Sequence, residues 1–218
     1  MGEEYLGAAH GVVGVVYTLL HVPHVTSSAR DLADLNRTVD WILAQMFPSG
    51  NLPCVAGDRD DELVHFCHGA PGVIPMLLKA WKELRRQDCL EAALRAGDVI
   101  WQRGLLRKGP GICHGVAGNG YAFLSLFRAT GDPKHLHRAL QFGVFLFSKR
   151  AQKGSRTPDA PYSLFEGIAG SVCFLLDLED PPRSAFPLFE LPDGAPPAAS
   201  SAPSSSAAGG VGLRRGEL

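Results

Sequence analysis

The sequence has almost no net charge: 21 basic and 22 acidic side chains among 218 residues leave −1 at neutral pH. It therefore lacks the clustered base that a general nucleic-acid or anionic-membrane binder carries. Long hydrophobic runs are missing too, because His, Pro, Asp or Lys breaks every candidate before the roughly 18 apolar residues that span a bilayer. No Gly-rich turn follows a strand pattern or precedes Lys-Ser/Thr, which argues against a phosphate loop, a dinucleotide fingerprint and nucleotide dependence. Cysteine is scarce and odd in number, at five. In a chain long enough to bury its own core, that pattern predicts reduced thiols available as ligands rather than a disulfide scaffold. The start, Met1-Gly2-Glu3-Glu4-Tyr5-Leu6, carries acid where a signal peptide carries base, and position 6 lacks the Ser or Thr of a myristoylation site. Together these absences predict a cytoplasmic chain with no nucleic-acid partner.

Large apolar residues are lacking at one end. From Pro192 to Leu218, 20 of 27 residues are Ala, Gly, Ser or Pro, so this segment cannot bury enough surface to offset the entropy of ordering it. The expected organisation is a folded region over 1–191 and a disordered tail over 192–218.

What the chain does have is an internal repeat. Ala9-His10-Gly11-Val12-Val13-Gly14, Cys67-His68-Gly69-Ala70-Pro71-Gly72, Cys113-His114-Gly115-Val116-Ala117-Gly118 and Glu166-Gly167-Ile168-Ala169-Gly170 are one Gly-x-x-Gly unit used four times. An apolar helical run follows each: Val15 to Leu20, Val73 to Leu84, Tyr121 to Phe127, Val172 to Leu178. In the second run Val73, Ile74, Leu77, Trp81 and Leu84 share one face, with Lys79, Lys82, Glu83 and Arg86 opposite. Second helices are expected over 34–47, 89–103 and 133–149, where Leu35, Val39, Ile42 and Met46 form one stripe. The prediction is an all-α chain of about four helical hairpins, with the glycine turns at one end. Glycines at i and i+3 permit close backbone approach there, and helix packing alone accounts for Gly11, Gly14, Gly167 and Gly170.

Residues just before the glycines carry the chemistry. Cys67 and Cys113 hold the same place in consecutive repeats, each followed by a histidine, so the repeat predicts that they converge across 46 residues. Thiolate and imidazole are the ligands zinc prefers. Spacing alone leaves two small thiols packed beside glycines as the plainer reading. It also leaves open a closed Cys₂His₂ site or an open one with three ligands. Adjacent helical residues diverge by about 100°, so one pair giving both ligands and the other only its Cys is the easier arrangement. Cys54, in a loop of Gly, Pro and Asp, reads as structural; Cys89 and Cys173, in apolar runs, read as core. Asp58 to Glu62 reads as a solvated charge run.

At these residues the sequence resembles a family. Gly7-Ala8-Ala9-His10-Gly11, His65 to Gly72, Gly111 to Asn119, Arg156-Thr157-Pro158-Asp159, Ser163 to Gly167 and the ending Phe186-Pro187-Leu188-Phe189-Glu190-Leu191 resemble the eukaryotic LanC-like proteins, relatives of bacterial lanthionine cyclases. The resemblance covers residues 5 to 191. It implies an α/α toroid of seven hairpins around a central zinc held by two Cys and one His, which at matching positions are Cys67, Cys113 and His114. It also implies addition of glutathione to dehydroalanine or dehydrobutyrine side chains in proteins. Under that reading His10 serves as acid/base and His68 as a second proton carrier or a donor behind the ligands. Lys108 and Arg156 serve as cations for the two carboxylates of glutathione.

Family members are about twice this length, and the first three hairpins have no counterpart here, so the expected form is a shortened, incomplete toroid. A ring cut to four hairpins exposes two apolar faces. The competing reading is a catalytically inactive zinc- or glutathione-binding helical scaffold produced by truncation. An α/α-barrel glycosidase needs a positioned carboxylate pair, and the turns offer only Glu166. Relatives attach to the plasma membrane through N-terminal lipidation; this N-terminus does not support that peripheral contact.

Overall fold

The computed structural model describes residues 2–191. The expected tail at 192–218 lies outside the described residues. Nine α-helices follow in order: α1 (Val12–Leu19), α2 (Pro23–Thr26), α3 (Ala29–Gln45), α4 (Ala70–Leu84), α5 (Gln87–Arg103), α6 (Val116–Thr130), α7 (Pro133–Leu146), α8 (Lys149–Gly154) and α9 (Ile168–Asp177). Among the described residues the only β pairing is an isolated bridge between Tyr5 and Val55.

Helices α1, α4, α6 and α9 each begin directly after a glycine turn and stack in a row, α1 on α4, α4 on α6, α6 on α9. The second helices pack outside this row, α5 against α4 and α7 against α6. Position in the row decides composition. The two central helices are buried over long continuous stretches, Ala70 to Leu78 and Val116 to Leu126. By contrast α3 and α5 bury single stripes, such as Leu35, Val39 and Ile42. The ending of the matched region closes the core: Phe186 stacks on Phe66 at 3.8 Å, and Phe189 on Tyr17 at 4.6 Å. Arg128 holds Glu190 at 2.6 Å, and Glu190 in turn accepts from the Phe186 amide.

The expected hairpins hold for three repeats. In the fourth, α9 is followed among the described residues only by a 3-10 turn at Pro181–Arg183. Among the described residues the arc therefore has four inner helices and three outer ones. The outer helix α3 starts at Ala29, five residues before the position read from its apolar stripe, because Ser28 caps it by accepting from the Asp31 amide.

No inner helix is capped by the side chain of its own N-cap residue, a glycine in each. Their first amides are satisfied by the loop that precedes them: Val12 donates to Tyr5, Val116 to Gly109 and Ile168 to Pro161, each seven residues back. The second repeat uses the Asn51 carboxamide instead, which accepts from Ala70 at 2.7 Å. This wrapped loop explains the glycine pairs. A Cβ at Gly14, Gly72, Gly118 or Gly170 would stand 2.2, 2.0, 1.9 or 2.1 Å from the carbonyl oxygen six residues earlier. That separation is impossible for any side chain, so the motif is a requirement of the turn.

Candidate metal and thiol site

The turns are laced to one another in repeat order. The Cys67 amide donates to the Cys113 carbonyl at 3.1 Å, and the Cys113 amide donates to the Phe165 carbonyl at 2.8 Å. Phe165 and Glu166 hold the positions that Cys113 and His114 hold one repeat earlier, so the thiol-bearing turns are the second and third. Lacing at this register brings the ligand atoms of Cys67, Cys113 and His114 to within 4.8 Å of one another. Cys67 is buried and the other two are half-buried. Because Cys113 and His114 lie in the bend before α6 rather than inside it, neighbouring side chains can aim at one point.

Two sulfurs and one imidazole nitrogen suit zinc, whose tetrahedral ligands stand roughly 3.5–3.8 Å apart at bonds of about 2.0–2.3 Å. The donor set and its closeness fit that ion with little movement. Three protein donors leave room for a fourth. Cys113 is drawn down to a pKa of about 6, chiefly by the hydrogen bond from Cys67 and then by His114. Cys67 is pushed up by the same bond and by burial.

His10 and His68 stand beside this group. Their rings are 5.3 Å apart, and the Tyr5 ring lies 6.5 and 5.8 Å from them. The loop carrying His10 is seated on the second turn, since a Cβ at Gly7 would strike the Cys67 carbonyl oxygen at 1.9 Å. His68 is held below its ordinary pKa by burial, then by the charges of His10 and Lys108. His10 is exposed. Lys108 and Arg156 are exposed and border one groove of about 310 Å³ with Leu106, Arg107 and Gly154. The Arg156 amide donates to the Arg107 carbonyl at 2.8 Å, which fixes the two loops together.

Two participants were not anticipated as site residues. The Cys54 sulfur lies 3.2 Å from His68 Nδ1, so this cysteine touches the site. Its loop is brought there by Leu6 donating to the Cys54 carbonyl and by the Tyr5–Val55 bridge, pairings without a local signal. His65 is buried beside the His114 ring at 6.1 Å. Burial, then Lys108, His114 and His68, depress it to about 4, so it is neutral at physiological pH. Its place two residues before Cys67 was the available clue. Outside the site, Asp61 is not the solvated charge expected: it accepts from Ser49 and Asn51 and pairs with Arg103 at 3.0 Å. Cys89 is fully buried as expected, and Cys173 is half-buried.

Residues 1–191 match the family model described as lanthionine synthetase C-like protein. The chain belongs to the lanthionine synthetase C-like family. It is 51% identical over 190 residues to glutathione S-transferase LANCL1 of Danio rerio, covering 87% of this chain and 46% of that protein. It is 42% identical over 195 residues to LanC-like protein GCL1 of Arabidopsis thaliana, covering 87% and 44%. Among solved structures it superimposes on nisin cyclase with a TM-score of 0.67 at 21% identity, over 82% of this chain and 47% of that one. This lanthionine synthetase C-like chain thus spans a little under half the length of these relatives. Its fold is an arc of the toroid that nisin cyclase represents. Among its described residues, no helix is long and apolar enough to cross a membrane.

Proposed function

We propose that this chain is a zinc-dependent thioether-forming enzyme that adds the thiol of glutathione to dehydroalanine or dehydrobutyrine side chains in proteins. The observation that carries the reading is the convergence of Cys67, Cys113 and His114 within 4.8 Å. Its support from kinship is the relative named as a glutathione S-transferase. A zinc ion on these three ligands would stabilise a thiolate against protonation near neutral pH.

The chain's own groups divide the remaining work. Lys108 and Arg156 hold the two carboxylates of glutathione, which sets its sulfur relative to the turns. His68 takes the thiol proton. The sulfur then bonds to the β-carbon of the dehydro residue, and the electron pair of the broken C=C π bond moves into an enolate. The proton that His68 took passes to the neighbouring His10, whose ring is 5.3 Å away, and from it to the α-carbon, so that the products are the thioether and two neutral imidazoles. Glutathione and a dehydroamino-acid-containing protein or peptide are the partners; the near-zero net charge gives no reason to add a nucleic acid.

The test is conjugation of glutathione to a dehydroalanine peptide, read by mass. His10→Ala should lower the rate by about 10²–10⁴-fold while leaving bound zinc unchanged. Loss of zinc in that variant, or an undiminished rate, contradicts the assignment. The second reading, an inactive scaffold that binds zinc or glutathione, is favoured by the exposed Ile168, Val172 and Leu176 at the open end of the arc. It predicts zinc and glutathione binding with no conjugation by the wild-type chain.

A further inference from the structure

We propose that the cationic groove between the loop before the third turn and α8 binds the acidic residues flanking the dehydro side chain, which makes the substrate class an Asp- and Glu-rich peptide segment. What that peptide undergoes rests on the thioether-forming reading; its docking stands on charge and shape.

The chain is near neutral overall, but its charge is unevenly spread, so clustered base is present locally. From Glu3 to Glu62 there are nine acidic and three basic residues, whereas from Arg103 to Pro158 ten basic residues accompany a single acid, Asp132. Asp132 caps the start of α7 by accepting from the Lys134 amide. Helix α8 follows the other end of α7, roughly 20 Å away at about 1.5 Å per residue. Folding gathers six of the ten: Arg107 and Lys108 before the third turn, Lys149, Arg150 and Lys153 on α8, and Arg156 just after it. All six are exposed, and among the described residues none has a carboxylate partner. Three of the other four, Arg103, Arg128 and Arg138, are paired with Asp61, Glu190 and Asp98.

Two grooves run among these cations. The one of about 310 Å³ proposed for glutathione is bordered by Lys108 and Arg156, and a second, of about 80 Å³, by Leu105, Phe145 and Arg150. Leu106, Arg107 and Gly154 border both, so the two adjoin. Both lie between segments inside the arc, tied by the bond from the Arg156 amide to the Arg107 carbonyl. The same loop reaches the ligands, since Gly109 accepts from Val116 and Pro110 from Ala117, the first residues of α6 after the Cys113-His114 turn. Extended chain advances about 3.3 Å per residue. A peptide whose dehydro residue meets the sulfur at those ligands thus carries its neighbours over the rim at Arg107 and Gly154.

Charge identifies the occupant. Glutathione brings two carboxylates and one ammonium, and Lys108 and Arg156 answer the carboxylates. Arg107, Lys149, Arg150 and Lys153 are left over, and carboxylates of the second substrate match them; guanidinium groups take such anions in bidentate pairs. Leu105 and Phe145 add apolar lining that suits a peptide rather than a bare ion. A long polyanion meets repulsion beyond the groove, because exposed Glu3 and Glu4 precede Tyr5, whose ring adjoins His10 and His68.

The test reads binding to the full chain by fluorescence anisotropy, with no conjugation step. The probe is a labelled peptide with Asp and Glu on both sides of a central Ala, beside a counterpart with Ser and Gln. The acidic peptide should bind at least about tenfold tighter, and added salt should erase the difference. Arg150→Glu combined with Lys153→Glu should weaken the acidic peptide about tenfold and leave glutathione binding unchanged. The neutral pair, Arg150→Gln with Lys153→Gln, should fall between. Both positions are exposed, so helical circular dichroism should not change. Equal affinity for the two peptides overturns the proposal, as does acidic-peptide binding that survives the charge reversal. So does tighter binding of a single-stranded oligonucleotide or of phosphatidylserine vesicles, which marks a general polyanion surface. If the wild type binds the acidic peptide selectively but conjugates nothing, the reading of the activity fails and the docking surface stands.

Discussion

At the scale of single residues, histidines decide how the chain responds to pH. His135 on α7 is almost fully buried, and neither ring nitrogen has a hydrogen-bond partner. Burial is the largest cause that depresses its pKa; Lys134 and Arg138 add to the effect, while Asp132 and Asp98 oppose it. Since the folded state disfavours the imidazolium, unfolding takes up a proton once the pH falls below the ordinary value of about 6.5. Stability is therefore full above that pH and is lost as the pH falls through it, by at most about 1.4 kcal/mol per pH unit for this one group. Denaturant midpoints should drop between pH 7 and pH 5, and His135→Leu should flatten that slope. A variant with the wild-type slope would show that the proton goes elsewhere. Residue-level chemistry was legible where the repeat supplied it: the register predicted that Cys67 and Cys113 converge, and with His114 their ligand atoms lie within 4.8 Å of one another. Cys54 was not legible, because it meets His68 across loops whose pairing has no local code, whereas His65, beside His114, had its place two residues before Cys67 as a clue.

At the scale of elements, the glycine turn is the unit that builds both fold and site. Each second glycine faces a carbonyl six residues earlier, and each inner helix is capped by backbone or by Asn51 in place of its own N-cap side chain. Gly118 is the most informative place to test this, since its turn presents Cys113 and His114 and a Cβ would stand 1.9 Å from the Ile112 carbonyl oxygen. Gly118→Ala should cost about 1–3 kcal/mol of stability, the usual range for overpacking. It should also weaken metal binding, because the displaced loop is the one carrying the ligands. Thermal melting and metal titration check both halves, and a variant as stable as wild type would refute the close approach. The motif spacing made the inner helices readable. The start of α3 was less so: its first turn, Ala29 to Leu32, is governed by the Ser28 cap, whereas the apolar stripe that marks the helix begins only at Leu35. Among the described residues the fourth repeat has no outer helix: Phe186 and Phe189 pack into the core against Phe66 and Tyr17 rather than continuing a helical stripe.

At the scale of the whole molecule, the chain is a laced arc whose chemistry sits where consecutive turns meet. Backbone bonds from Cys67 to Cys113 and from Cys113 to Phe165 hold that meeting point, and His10 and His68 lie beside it with their rings 5.3 Å apart. The chain spans a little under half the length of the relatives it matches, and the proposed activity turns on whether its three ligands hold a metal. The most direct measurement is the zinc content of the purified chain by elemental analysis, beside that of Cys113→Ala, with helical content followed in both. The account predicts about one zinc per chain in the wild type and a loss of zinc in a variant that keeps its helices. A folded wild-type chain free of zinc, or a Cys113→Ala chain that retains it, would contradict the account.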